Sequence, residues 1–273
     1  MFFNAEFHND AYFEDTKFHD CVSFDNAIFN KDIILNFERC VLENYINLKV
    51  KKCSYINLEE SINRDIIDFK PRRNQEVSIE KLNLFNMKNL GHIYIDWDKN
   101  NVNSAIEKKF NNKYEYKANQ YRMLKENYHQ LGEYEQEDKA YVEFKKNKLL
   151  ADKGNIGYYI KKFLFQTIGD FGTNPKKVAC SMFGAIIIFS MLYYLPSIFD
   201  YQLIGGNNLG NSYIYSNEIV KSIYYSVVTF LTIGYGDIHP LNLFGMIISG
   251  FEGFIGLFLM SYFTVSFVRK VLR

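Results

Sequence analysis

The chain of 273 residues has room for two modest domains, or for one domain and a small membrane unit. Its 32 Lys and Arg against 31 Asp and Glu leave a net charge of +1, so the overall charge gives no reason to expect nucleic acid or an acidic substrate as a partner. Apolar residues are dense after about residue 155, whereas the middle of the chain is rich in Lys, Glu and Asn. The composition therefore predicts a polar N-terminal part and an apolar C-terminal part.

The 4 cysteines are Cys21, Cys40, Cys53 and Cys180. Residues 1–6 lack the basic region and the apolar run of a secretory signal peptide. We therefore expect reduced cytosolic thiols that serve as small apolar side chains rather than a disulfide framework.

Large apolar residues recur every five positions between about residues 3 and 60, and a small residue often lies two positions before the large one. A period of five fits neither a helix nor the plain alternation of a strand. It fits a solenoid in which each five-residue step forms one side of a square coil and both residues point inward. The large pairs are Phe13–Phe18, Phe24–Phe29 and Phe37–Leu42, and the small residues are Ala5, Thr16, Ala27 and Cys40.

This pattern resembles the pentapeptide-repeat family, which implies a right-handed quadrilateral β-helix for a domain over residues 1–100. The register slips between Phe18 and Phe24, and residues 61–76 interrupt the pattern before Ile79 and Leu84 resume it. The alternative is a Phe-rich β domain of an ordinary kind.

Residues 101–155 are predicted to form an α-helical hairpin linker. Apolar residues recur at intervals of three or four on both sides of Gly132, for example Tyr121, Leu124 and Tyr128 before it and Tyr141 after it. One such hairpin cannot bury its apolar face alone, so we expect it to pack on the solenoid or on another subunit.

Two apolar runs are long enough to cross a lipid bilayer. Val178–Phe199 carries no charge and would extend about 33 Å as a helix, which exceeds a hydrocarbon core of about 30 Å. Leu241–Val268 carries Glu252 as its only charge. We place the spans at about 177–199 and 241–268, within a membrane unit at 176–273.

Positive charges predict the orientation of the spans. Lysines such as Lys176 and Lys177 precede the first span, Arg269 and Lys270 follow the second, and Lys221 is the only Lys or Arg between them. By the positive-inside rule, we expect a multi-pass protein of the cell (inner) membrane with both termini in the cytoplasm. Residues 156–175 are expected to include an interfacial amphipathic helix.

A short helix at about 219–231 is followed by Thr232-Ile233-Gly234-Tyr235-Gly236-Asp237. Glycine tolerates positive φ, so Gly234 and Gly236 allow successive carbonyls to face one axis. Four such segments would make stacked rings of oxygens that replace the water shell of a potassium ion, so the chemistry predicts a tetramer.

These residues resemble the potassium-channel signature, and the resemblance to two-transmembrane bacterial potassium channels extends from about Ile219 to Phe267. It implies an all-α pore domain, a homotetramer, and K⁺ as the permeant ion, with no cofactor. It also assigns a filter at 232–237, in which the ion ligands are the carbonyls of Thr232, Ile233, Gly234 and Tyr235. Gly236 completes the filter, and Asp237 lies at the pore mouth.

The resemblance also assigns supporting residues around the filter. Tyr224 and Tyr225 occupy the two aromatic cuff positions, against which the ring of Tyr235 is expected to pack. Val228 stands where some bacterial relatives have a Glu, so Asp237 must be held in another way. Glu252 is costly in a membrane, and we expect a hydrogen bond near Ser226 or Thr229, as a structural buttress or as a gating proton site.

The second span is expected to bend and to line the cavity below the filter. Gly256 matches the hinge glycine of the family, and four further residues match its pore-lining face, with lipid or helix contact as the alternative. These residues are Leu257, Met260, Thr264 and Val268.

No nucleophile–base pair or carboxylate pair indicates an enzyme. No span carries regularly spaced Arg or Lys, so a voltage sensor is not expected. Any regulation would act through residues 1–150, by an unknown cytosolic ligand or protein, and the alternative is that this part only aids assembly or localisation. The alternative is a membrane-anchored pentapeptide-repeat interaction scaffold.

Overall fold

A computed structural model of the chain describes residues 1–30, 32–106, 113–206 and 217–272. The chain divides into two structural units, Met1–Ile160 and Lys161–Arg273.

The N-terminal unit contains a coil of short parallel strands that stack in four ladders. Three ladders have four strands each, in the orders β2-β6-β9-β12, β3-β7-β10-β13 and β4-β8-β11-β14, and β1 pairs with β5 in the fourth. The predicted quadrilateral β-solenoid is therefore confirmed. The strands are β1 (Glu6–Phe7), β2 (Ala11–Tyr12), β3 (Lys17–Phe18), β4 (Val22–Ser23), β5 (Ile28–Phe29), β6 (Ile34–Asn36), β7 (Val41–Leu42), β8 (Ile46–Asn47), β9 (Cys53–Asn57), β10 (Ile62–Asn63), β11 (Ile66–Asp68), β12 (Ile79–Asn83), β13 (Lys88–Asn89) and β14 (His92–Tyr94).

Residues in the left-handed backbone conformation form the corners of the coil. They explain why a small residue lies two positions before each large one. Asn26 has a φ of 59°, and the next amide, that of Ala27, donates to the carbonyl of Phe24 at 3.0 Å. Arg39 and Cys40 repeat this turn with the Phe37 carbonyl. Positive φ at the third position is typical of a type II turn, and it directs the small residue inward. The other corners of this kind include Asn4, Asp15, Glu60 and Asn86.

Stacked side chains fill the coil and line one of its faces. The rings of Phe7 and Phe29 stack with centroids 4.4 Å apart. The amide of Asn57 donates to Asn36 at 2.9 Å and that of Asn83 donates to Asn57 at 2.8 Å, so one asparagine stands above another in successive coils. Because these asparagines are buried, the ladder satisfies polar atoms that would otherwise oppose folding.

A helical hairpin closes the C-terminal end of the coil. Helices α1 (Val102–Ala105), α2 (Lys113–Gln130) and α3 (Tyr134–Ala151) follow β14. Asn127 of α2 accepts from the amide of Ile93 and donates to its carbonyl, both at 2.8 Å. The hairpin thus packs on the solenoid, one of the two arrangements that the sequence left open, and it covers strand edges that would otherwise expose unpaired backbone groups.

A short helix, α4 (Ile156–Lys161), lies at the boundary between the two units in the sequence. The C-terminal unit is mainly helical, and its first elements are a π-helical turn at Lys162–Thr167 and a 3₁₀ turn at Asp170–Gly172. Positive φ at Asp170 and Phe171 ends the predicted interfacial helix before Pro175. The remaining elements are α5 (Pro175–Ser197), β15 (Ile204–Gly206), α6 (Glu218–Phe230), β16 (Ile238–Pro240) and α7 (Leu243–Val271).

Helices α5 and α7 have 23 and 29 residues, and both are long and apolar enough to cross a membrane. Asparagine side chains cap both N-termini, since Asn174 accepts from the amide of Lys177 and Asn242 accepts from that of Gly245. Strands β15 and β16 pair in an antiparallel ribbon between the two helices.

Candidate ion-conducting site

The helix that leads to the site, α6, is too short to cross a membrane. It has 13 residues, and Asn217 caps its N-terminus by accepting from the amides of Ile219 and Val220. Ser222, Ser226 and Phe230 are buried, so one side of the helix packs within the unit and fixes the direction of its C-terminus.

The sign of φ alternates along the segment after α6. Thr232, Gly234 and Gly236 have φ values of 55°, 59° and 80°, whereas Ile233 and Tyr235 between them have negative φ. In an ordinary strand successive carbonyls point to opposite sides, and inverting φ at every second residue turns them toward the same side. The sequence predicted positive φ at the two glycines. It did not predict the positive φ of Thr232. The available signal was that Thr232 lies two residues before Gly234, at the same interval that separates Gly234 from Gly236.

The backbone at Thr232 is strained in a way that functional sites tolerate. A β-branched residue with positive φ is uncommon, and such conformations cost about 1–3 kcal/mol. The Thr232 hydroxyl donates to the adjacent carbonyl of Leu231 at 2.7 Å.

The segment from Thr232 to Gly236 is exposed within a single chain. Tyr235 is 68% exposed and Ile233 is 46% exposed, although both side chains are apolar in character. A Cβ placed on Gly234 or Gly236 would find open space within 4 Å. Within a single chain this surface therefore lacks packing against other side chains.

The predicted cuff tyrosines make different contacts. Tyr224 donates to the carboxylate of Asp237 at 2.9 Å, so it takes the place that a pore-helix Glu at position 228 would fill. Val228 itself is buried. The Tyr225 hydroxyl lies 2.8 Å from that of Ser249, and its ring meets the ring of Tyr193 edge-on with centroids 5.0 Å apart.

Glu252 lies fully buried between three helices. Its Oε1 is 2.5 Å from Oγ of Ser226 on α6, and its Oε2 is 2.7 Å from the hydroxyl of Tyr193 on α5. Of the two partners that the sequence left open, Ser226 and Thr229, the structure places Ser226 against Glu252. Sequence reasoning missed Tyr193, because a tyrosine near the end of a span is ordinarily assigned to the membrane interface.

Gly256 allows α7 to lie against the end of α6. A Cβ on Gly256 would come within 2.0 Å of the Phe230 carbonyl oxygen, so no other residue fits without a shift of the backbone. The structure thus provides a packing reason for this glycine, and its role as a hinge stays a prediction. The predicted cavity residues Leu257, Met260, Thr264 and Val268 are all exposed on α7 within a single chain.

Comparison with known proteins relates the two ends of the chain to two families. Residues 181–273 match a family model described as ion channel, and residues 2–47 match that of pentapeptide repeats, with 9 copies. The chain is 34% identical over 102 residues to Potassium channel KOR1 of Oryza sativa subsp. japonica. It is 33% identical over 102 residues to Potassium channel SKOR of Arabidopsis thaliana.

Each of these two matches covers 33% of this chain and only 12% of the relative's length. No solved structure matches the chain. The chain therefore carries an ion channel domain after an N-terminal pentapeptide-repeat solenoid, and it is a membrane protein.

Proposed function

We propose that this chain is one subunit of a homotetrameric channel that conducts K⁺ passively and selectively across the cell membrane. The observation that carries the proposal is the alternating sign of φ at Thr232, Gly234 and Gly236, in an exposed segment behind a short helix and between two membrane helices.

The alternation supports a line of oxygen ligands for a dehydrated cation. The carbonyls of Thr232, Ile233, Gly234 and Tyr235 would replace the water shell of K⁺, as backbone carbonyls do in potassium-selective filters. The C-terminus of α6 lies just before these residues, and its partial negative charge favours a cation below the filter. Asp237 would attract cations at the outer mouth.

Four copies are needed because one segment cannot surround an ion. The exposure of Tyr235 supports this assembly, since its ring would pack on the tyrosine cuff of a neighbouring subunit. The exposed stripe from Leu257 through Met260 and Thr264 to Val268 would face the shared cavity, where water covers it.

Charges beside the spans support cytoplasmic termini. Lys176 and Lys177 stand at the start of α5, and Arg269 and Lys270 in the last turn of α7. Lys177 donates to Asp170 at 2.7 Å and remains partly exposed, as suits an inner-leaflet interface.

Gating through the cytosolic part belongs to the proposal, and two contacts of the segment before α5 support it. Tyr262 of α7 donates to the carbonyl of Phe165 at 3.2 Å, and a Cβ on Gly169 would lie 2.9 Å from the Tyr262 ring. A force on residues 162–172 would thus be transmitted directly to α7. A cytosolic ligand or protein that binds residues 1–150 would open or close the pore by this route.

Flux in liposomes tests the proposal. The purified full chain, reconstituted with a K⁺ gradient, should pass K⁺ much faster than Na⁺ and should run as a tetramer by native mass spectrometry. The control is the variant Gly234→Ala. Within one chain its added Cβ has no atom within 4 Å, but alanine is strained at the positive φ of this position. It should assemble as a tetramer and lose K⁺ selectivity.

Equal passage of Na⁺ and K⁺, or a monomer in lipid, would refute the proposal. A folded tetramer without flux under any condition would support the alternative, a membrane-anchored interaction scaffold.

A further inference from the structure

The buried carboxyl of Glu252 links three helices of the C-terminal unit, α5, α6 and α7. Glu252 belongs to α7, and its two oxygens lie against Tyr193 of α5 and Ser226 of α6 at 2.7 and 2.5 Å. Ser226 precedes the filter segment by less than two helical turns. The position of this single side chain is thus linked to the position of the filter.

The hydrogen bonds of this cluster are compatible with a hydrogen on the Glu252 carboxyl. The Ser226 hydroxyl has one hydrogen and two acceptors in reach, the carbonyl of Ile186 at 3.0 Å and Oε1 of Glu252. If Ser226 donates to Ile186, a bond to Glu252 requires a hydrogen on the carboxyl. The Tyr193 hydroxyl supplies the hydrogen at Oε2.

The surroundings offer no positive charge to a carboxylate. Among the described residues no Lys, Arg or His forms an ion pair or hydrogen bond with Glu252. The titratable groups that face it are Tyr193 on α5 and Tyr225 on α6, and α7 contributes the neutral Ser249. An ionised carboxylate in this position would be a buried and unpaired charge inside a membrane, which is strongly unfavourable.

We propose that Glu252 is a protonated positioning residue. Its Oε1–H donates to Ser226, the Ser226 hydroxyl donates to the Ile186 carbonyl of α5, and Oε2 accepts from Tyr193. Every hydroxyl hydrogen in this chain of bonds then has an acceptor, and α7, α6 and α5 are held together without a buried charge. The protonation stands whether or not the chain conducts, whereas its effect on ion flux rests on the proposed function.

Infrared difference spectroscopy tests the protonation. The full chain in lipid nanodiscs at pH 7, minus the Glu252→Gln variant, should show the C=O stretching band of a protonated carboxylic acid. The band should move to lower frequency in D₂O. A difference spectrum with carboxylate bands in its place would overturn the proposal.

A second variant keeps the test independent of the folding of Glu252→Gln. In Tyr193→Phe the Glu252 carbonyl loses the bond at Oε2, so the same band should move to higher frequency. The matched control is Tyr194→Phe on the same helix. An unchanged band in Tyr193→Phe, or an equal shift in the control, would contradict the assigned bonds.

Flux measurements test the positioning role. Glu252→Gln keeps a donor for Ser226 and an acceptor for Tyr193, so we expect flux similar to that of the original chain. Glu252→Leu keeps the volume but removes the donor to Ser226 and the nearest acceptor for the Tyr193 hydroxyl, and we expect at least about tenfold lower flux. Flux through the original chain should fall at alkaline pH, as the carboxyl ionises, and that of Glu252→Gln should not.

The outcomes separate this inference from the proposed function. A protonated-acid band together with no flux in any variant would refute the channel and leave the protonated Glu252 intact. Full flux in Glu252→Leu, or the same alkaline fall in Glu252→Gln, would overturn the positioning role.

Discussion

Tyr224 donates a hydrogen bond of 2.9 Å to Asp237, and this bond links α6 to the residue that follows the exposed segment. The two residues bracket Thr232–Gly236, so the bond fixes both ends of the segment to one element. Asp237 follows Gly236 directly, and Gly236 has the largest positive φ in the segment. Motion of the Asp237 side chain is therefore coupled to the backbone of Gly236.

We expect Tyr224→Phe to destabilise the conducting state of the filter. A hydrogen bond to a charged acceptor contributes about 1.5–3 kcal/mol when buried, and less here because Asp237 is half-buried. In planar bilayers, sustained K⁺ current through the variant should decay several-fold faster than the original current.

Tyr201→Phe is the control, because Tyr201 is exposed in the linker beyond α5. Asp237→Ala, which removes the acceptor, should resemble Tyr224→Phe, and the double variant should be no worse than either single one. Additive effects of the two substitutions would show that the bond is not their shared cause.

Gly256→Ala should destabilise the membrane unit, and Gly250→Ala on the same helix should not. The added methyl group at position 256 would meet the Phe230 carbonyl oxygen at 2.0 Å, whereas at position 250 it would meet open space. Overpacking costs about 1–3 kcal/mol, while alanine gains up to about 1 kcal/mol of helix propensity at either site.

Thermal unfolding of the detergent-solubilised protein measures the difference. We expect a lower Tm for Gly256→Ala and an equal or higher Tm for Gly250→Ala. Equal shifts in both variants would contradict the close approach of α7 to the end of α6.

The solenoid could be predicted because its five-residue pattern is local in sequence, but the number of residues in each full coil could not. Each pairing of a small and a large residue, such as Ala27 with Phe29, follows from one turn and its left-handed corner. The spacing between coils depends on contacts far apart in sequence. Asn36, Asn57 and Asn83 stack at separations of 21 and 26 residues, so insertions at the corners shift the apparent period.

The site shows the same division between local and distant information. The backbone conformation of Gly234 and Gly236 could be predicted because glycine readily adopts positive φ. The hydrogen-bond partner of Asp237 was not predicted, because nothing in the sequence distinguishes the hydroxyl of Tyr224 from that of Tyr225. The contact of Glu252 with Tyr193 joins residues 59 positions apart, and only the packing of α5 against α7 brings them together.

Thiol labelling should distinguish the buried cysteines of the solenoid from the exposed one. Burial raises the pKa of Cys40 to about 11 and that of Cys53 to about 12, so both stay neutral at pH 7. The thiolate is the reactive form, so both should label slowly, and their rates should rise as the pH increases. Cys21 is exposed and should label rapidly at neutral pH.

A water-soluble maleimide and mass spectrometry of the intact protein measure these rates. Cys21→Ser should remove the fast phase at pH 7, and Cys180→Ser identifies any contribution from the membrane helix. Fast labelling of Cys40 or Cys53 at pH 7 would contradict the closed packing of the coil.

Tyr262→Phe should loosen the segment before α5 and change ion flux with it. The lost bond to the Phe165 carbonyl contributes about 0.5–1.5 kcal/mol, which corresponds to roughly a two- to tenfold change in a two-state equilibrium. Hydrogen exchange at residues 162–172 should become faster by that factor, and Tyr194→Phe should leave it unchanged. Faster exchange with unaltered K⁺ flux would show that this segment does not control α7, and unaltered exchange would show that the bond does not hold the segment.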